Sequence, residues 1–204
     1  MTTQVSPFPT GTVLNADQGG TGLDMTGIPA GNYLTTTGNS TAPFQVSSIP
    51  AAPAAKQFAV FSDQHANGVA AVAGNSSSFN RRVINTTLVN TIVGCSLAGN
   101  DITLPAGTYH ISASAVSCYY AQTKIDIVSD ISELNLISGV SVAGVGATSL
   151  VGSVEGVITL AVPTPIFINQ WLGLAVAGGT STMGNPTTGT GEPETYAQIT
   201  IIQI

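Results

Sequence analysis

From Phe58 onward, apolar and polar side chains alternate with a period of two, the pattern of strands that lay one face on a core. The clearest stretch is Gly107–Cys118, GTYHISASAVSC. It puts Tyr109, Ile111, Ala113 and Ala115 on one face and Thr108, His110, Ser112 and Ser114 on the other. Glu155–Val162 sets Ile158, Leu160 and Val162 against Val157, Thr159 and Ala161. The last run, TYAQITIIQI, sets Ala197, Ile199 and Ile201 against Tyr196, Gln198, Thr200, Ile202 and Ile204. This second face is mixed rather than polar, as a contact between subunits would be. Further strands are expected at Phe58–Asp63, Gly68–Val72, Arg82–Val89, Thr91–Leu97, Lys124–Val128, Glu133–Ile137, Ser149–Val151 and Pro165–Val176. Turns are expected at Ala98–Asp101, Pro105–Gly107 and Gly178–Gly179. No 12-residue segment carries a 3.6 period. Many short strands, each with one apolar face, predict an all-β fold of two packed sheets.

Residues 1 to about 55 follow another rule. They hold six of the eleven prolines: Pro7, Pro9, Pro29, Pro43, Pro50 and Pro53. Proline fixes φ and removes a ladder donor, so this segment is expected to stay out of a sheet. Its apolar residues, among them Phe8, Leu23, Tyr33 and Phe44, show no period. They fit an extended arm, 1–55, that gains order by docking on a partner, followed by a sandwich domain over 56–204.

Charge narrows the function. Only 7% of residues are charged and the net charge is −6, against about 25% charged in an ordinary domain. Hydroxyl and amide groups must solvate the surface, or other subunits must cover it. Lys56, Arg81, Arg82 and Lys124 are the only basic residues. They form no stripe that could hold phosphates, so nucleic acid is excluded as a partner. The pair Arg81–Arg82 is expected to make ordinary edge-strand salt bridges. The start, MTTQVSPFPTGT, lacks a basic region followed by an apolar stretch, and no signal peptide is expected. The most apolar stretch, Ile158–Val176, is interrupted by Pro163, Pro165, Asn169 and Gln170. It falls short of the ~20 apolar residues of a membrane helix, and no membrane insertion is expected. Cys95 and Cys118, the only cysteines, are expected to be free thiols.

Catalytic chemistry finds no foothold. No GxSxG nucleophile elbow, HExxH, P-loop or dinucleotide fingerprint is present. His65 falls in a predicted loop and should be solvated; His110 lies on a polar strand face at a surface or interface. No metal or cofactor is expected. A glycan-cleaving site would need two carboxylates at a fixed separation. The candidates are Asp126, Asp130, Glu133, Glu155, Glu192 and Glu194, and the first three are expected in a solvated loop between strands. The long Gly178–Thr195 segment, GGTSTMGNPTTGTGEPET, is a candidate receptor-binding loop through Asn185, Glu192 and Glu194, or else a plain surface loop. Trp171, in an apolar strand, is expected in the core or in an interface with Tyr196, Gln198, Thr200 and Ile202, rather than as a sugar-stacking platform. Tyr109 is expected to fill the core with its hydroxyl reaching the edge.

Two regions resemble known families. Asn15–Ser47 carries Gly19-Gly-Thr-Gly22, Leu23, Gly31-Asn-Tyr-Leu34 and Gly38-Asn-Ser-Thr41 in order. This set resembles the GGTG-type modules of phage tail-fibre and other virion appendage proteins. The pieces Arg82–Thr86, Cys95–Asn100 and Ile102–Ile111, with a closing strand like Thr195–Ile201, resemble the phage virion domain similar to tumour-necrosis-factor and complement globular-head jelly rolls. The resemblance implies a ten-strand jelly roll over roughly Phe58–Ile204, assembled as a homotrimer. It also implies a virion surface protein: a tail fibre attached through its arm to capsid, tail or fibre-adaptor proteins, with the jelly roll turned to a host surface and its glycans. A head-fibre or capsid-decoration protein is one alternative and a carbohydrate-binding module free of any virion is another. A secreted ligand is disfavoured by the missing signal peptide.

Overall fold

A computed structural model describes residues 32–36, 44–48, 55–144, 149–187 and 190–204. The chain divides into two units, Met1–Ala54 and Ala55–Ile204. In the first, β1 (Asn32–Thr36) pairs antiparallel with β2 (Phe44–Ser48). This corrects the expectation that no part of 1–55 enters a sheet: the prolines at 29, 43 and 50 flank the two strands rather than interrupt them.

The second unit is a jelly-roll sandwich of antiparallel strands. One sheet has the order β12 (Ser149–Leu160), β8 (Gly107–Cys118), β14 (Glu194–Gln203), β3 (Phe58–His65) and β5 (Thr86–Asn90). The other runs β10 (Asn135–Ser138), β9 (Gln122–Ser129), β13 (Thr164–Leu172), β7 (Asp101–Leu104) and β6 (Ser96–Ala98). The short strands β11 (Val142–Ala143) and β4 (Ser78–Arg81) join β9 and β13 respectively. Short strands therefore finish both sides of the β9–β13 pair, β10 and β11 on one and β4, β7 and β6 on the other, which blunts the sheet against edge-on association.

Alternation explains which side chains go in. Tyr109, Ile111, Ala113 and Ala115 of β8 are buried, as expected, and they face Ile125, Ile127, Ile166 and Ile168 of the second sheet in one core. β-branched isoleucine suits a pleated, buried surface, and it dominates here. Tyr109 fills the core and its hydroxyl donates to Pro105 O at 2.9 Å. On β12 a Cβ at Gly156 would lie 2.8 Å from Ile137 Cγ2, so only glycine lets the second sheet approach there.

Several expected elements moved. Gly68–Val72 is a loop, not a strand: the hydroxyls of Tyr196 and Tyr120 hold it by donating to Val69 O (2.8 Å) and Gly74 O (2.6 Å). Residues 82–85 and 91–95 lie outside strands. β12 is continuous across Ser149–Leu160, and Val162 lies beyond it, exposed. β14 has a bulge between Thr195 and Ala197, and this turns Tyr196 inward. Tyr196, 4% exposed, packs with Ala71, Tyr120, Leu172 and Met183 in a second core cluster and is no interface residue.

Between the sheets, beside this cluster, sits a buried charge. Arg82, expected at an edge, is 0% exposed. Its Nη1 donates to Gln170 Oε1 (3.1 Å) and Val116 O (3.2 Å), and its Nη2 pairs with Asp63 Oδ2 at 3.2 Å. Burial lowers its pKa to about 10, against the opposing pull of Asp63. It stays cationic at neutral pH. Asp63 also pairs with His65 Nε2 at 2.9 Å, and the His65 ring packs against Tyr196. His65 is thus the end of β3 and mostly covered, not a solvated loop residue. Both cysteines are free, Cys118 buried and Cys95 half-buried, with burial pushing the Cys95 thiol up to about 11.

Two stability predictions follow from these contacts. Arg82→Ala or Asp63→Ala alone strands a buried partner and should cost about 3 kcal/mol or more in urea unfolding. The double replacement should cost clearly less than the sum, and additive losses would show that the pair is not coupled. The Tyr196 phenol is pushed up to about 12, first by burial and then by Glu194. An acid whose folded pKa is raised stabilises the fold below its unfolded pKa, near 10, and loses that contribution as pH rises toward 12. Between pH 9 and 11 the wild type should therefore lose about 1 kcal/mol more than Tyr196→Phe. Parallel curves would refute this.

Candidate functional site

The outward side of the β9–β13 sheet carries a groove of about 320 Å³. Strand register builds it. Trp171 on β13 stands opposite Phe79 on β4 and, on its other side, opposite Lys124 on β9. The Phe79 and Trp171 rings meet edge to face, with centroids 5.2 Å apart, and Phe79 is 44% exposed. Ser141, Val142 and Ala143, where β11 joins β9, form the far wall, and Gln122 and Thr123 complete the lining. Lys124 Nζ donates to Ser138 Oγ at 2.7 Å and pairs with Asp126 at 3.1 Å. Asp126 also accepts from the Gly139 amide and the Ser138 hydroxyl. The groove thus combines two aromatic rings, neutral polar groups and a cation whose charge is already matched.

Farther along the same face, Arg81 lies over the Phe167 ring, 4.1 Å from its centroid, and pairs with Asp101 and Asp130. Its expected salt-bridge role is the observed one. Asp126 is buried within β9, which corrects its placement in a solvated loop. Asp130 and Glu133 are exposed. Among the described residues no group of three or more His, Cys, Asp or Glu is arranged to hold a metal ion, and no helix is long and apolar enough to cross a membrane.

The opposite outer face, on the five-stranded sheet, holds the remaining predicted interface residues. Gln198, Thr200 and Ile202 point outward from β14. Trp171 does not join them: it is half-buried on the other sheet, in neither the core nor this face. Val157, His110, Ile202 and Phe58 are register neighbours across four strands. The next row holds Glu155, Ser112, Thr200 and Val60. Glu155 is the single carboxylate pointing outward from β12, β8 and β14, and it contacts His110 Nε2 at 3.0 Å.

The predicted receptor loop is largely structural. Glu194 is buried and accepts from the amide of Thr187 at 3.0 Å, which removes it as a ligand contact. Asn185 accepts from Thr182 Oγ1 at 2.7 Å, and Ala71, Val72 and Cys118 bond the backbone of 182–184. Asn185 and Glu192 are exposed, and Glu192 is the one of the three whose carboxylate has no partner among the described residues. Phe8 and Leu23 lie outside the described residues. Tyr33 and Phe44 fall on β1 and β2. The GGTG segment itself, residues 19–22, also lies outside the described residues.

No protein-family model and no curated protein matches the sequence. Solved structures do resemble the fold. Murine APRIL, solved at pH 8.0, matches at TM-score 0.50 and 8% identity over 74% of this chain and all of its own. The globular domain of zebrafish complement 1qA matches at TM-score 0.47 and 16% identity, over 74% of this chain and 98% of its own. The APRIL likeness agrees with the jelly roll that the sequence resemblance implied.

Proposed function

We propose that this chain is a non-enzymatic bacteriophage virion surface protein of the fibre or decoration kind. In this reading residues 1–55 anchor it to the particle and the jelly roll assembles as a homotrimer through the five-stranded sheet. The observation that carries the assembly is the outer face of that sheet. Val157 (57% exposed), Ile202 and Phe58 lie among small hydroxyl side chains with one paired carboxylate. Interface cores are depleted of charge in this way. A three-fold ring is closed by heterologous contacts, so each protomer must offer two different surfaces. This face is one of them. The anchoring role rests on the proline-rich and apolar composition of the arm, and the virion setting rests on the sequence resemblance.

Light scattering at micromolar concentration should give three times 20.5 kDa, and Val157→Glu should shift the protein to monomer with unchanged circular dichroism. A wild-type monomer would sink the assembly. A chain beginning at Ala55 should stay trimeric and melt close to the full-length protein, yet fail to load onto particles. Replacing Phe8, Leu23 and Tyr33 by Ala should weaken loading without unfolding the jelly roll. Normal copy number of the shortened chain would assign attachment to the jelly roll instead. Imaging labelled virions then places the protein on tail or capsid.

A further inference from the structure

We infer that the Phe79–Trp171 groove is a binding site for a neutral saccharide. A pyranose ring has an apolar C–H face and a rim of hydroxyls. It therefore needs an aromatic surface beside groups that both donate and accept hydrogen bonds. Aromatic rings present a negative π face that attracts polarised C–H groups. Here Phe79 and Trp171 supply the rings, and Gln122 and Ser141 supply amide and hydroxyl groups at the margin. The volume, about 320 Å³, lies at the small end of ligand pockets, about 300–1,000 Å³. It suits one or two sugar units rather than a folded partner.

Charge selects among ligands. The one cation lining the groove, Lys124, is already paired with Asp126, so the groove offers no net charge for a phosphate or carboxylate. An aliphatic chain would use the rings but gain nothing from the margin, whose exposed polar groups water would solvate. A neutral sugar satisfies both the rings and the margin. The groove belongs to the β9–β13 sheet and Val157 and Ile202 to the other, so sugar binding and the proposed assembly face use different surfaces. The inference gives a ligand class to the attachment role proposed above. It rests on that reading only for where the glycan comes from.

Trp171 is the single tryptophan of the chain, so its emission reports on the groove directly. The full-length protein is screened on an immobilised panel of neutral and acidic oligosaccharides, and each neutral hit is titrated as free sugar while Trp171 emission is followed. A saturable emission change is expected with neutral glycans, without the steep salt dependence of charge-driven binding. Calorimetry with Trp171→Ala and, separately, Phe79→Ala should show at least a tenfold loss of affinity while circular dichroism at the binding temperature shows the fold retained. Gln122→Ala, at the exposed margin, should weaken binding less and keeps the test valid if an aromatic variant unfolds. The inference is overturned if no neutral glycan binds, if only acidic glycans bind, or if binding survives both aromatic replacements. It is also overturned if Trp171 emission shifts when the oligomer is diluted to monomer, since the groove would then be a subunit contact. Failure of trimer formation with retained glycan binding would remove the assembly proposal and leave this one standing.

Discussion

With only 7% of residues charged, this fold depends on strands that sort their side chains between an inner and an outer face, as β8 and β13 do. The constraint is most stringent on β8. For twelve residues it pairs with β12, and for most of them with β14, so any slip in its phase would turn Tyr109 and Ile111 to solvent and Ser112 and Ser114 to the core. The rest of the sandwich is arranged around that strand. Its inward row meets the isoleucines of β9 and β13, and its outward row of Thr, His and Ser leaves a face almost free of charge. Where the inward row passes from Ile111 to alanines, toward Cys118, the space between the sheets becomes polar. There Arg82 and Gln170 both bond to Val116 O. The core thus changes character along its length, from aliphatic packing to a buried ion pair.

The same constraint decides what could be read from the sequence. β8 is legible to the residue because its alternation is unbroken and its start is marked by the Pro105–Gly107 turn. β3 and β14 are legible to within two residues. The short strands β4, β6, β10 and β11 are harder, because an edge strand of two to four residues carries too little alternation to set its phase. Gly68–Val72 has the composition of a strand, but its partners are tyrosine hydroxyls more than a hundred positions away in one case, which no local pattern encodes. Tyr196 failed for a different reason. A single extra residue in the bulge reverses the side of everything before it, and periodicity extrapolated backward from Ile201 cannot register that.

The groove lay beyond sequence reading altogether. Phe79 comes from an edge strand, Lys124 and Trp171 from two paired strands, and Ser141 from a connection. Each has an ordinary local explanation, and only the strand order β11-β9-β13-β4 makes neighbours of them. Candidate loops, in contrast, are visible in sequence by their length alone. The Gly178–Thr195 segment turned out to spend much of its polar capacity on holding itself to the sandwich.

The jelly roll also has two unlike poles. The amide of Gln203 bonds to Gln57 O at 2.9 Å, so the backbone enters and leaves the sandwich side by side. β13 starts near that pole, opposite Leu104, and runs away from it to Leu172. Trp171 therefore sits in the half of the sandwich remote from Gln57 and Gln203. A reporter protein joined after Ile204 would occupy the pole of Gln57 and Thr108, where it shades neither the aromatic rings nor the loops around them.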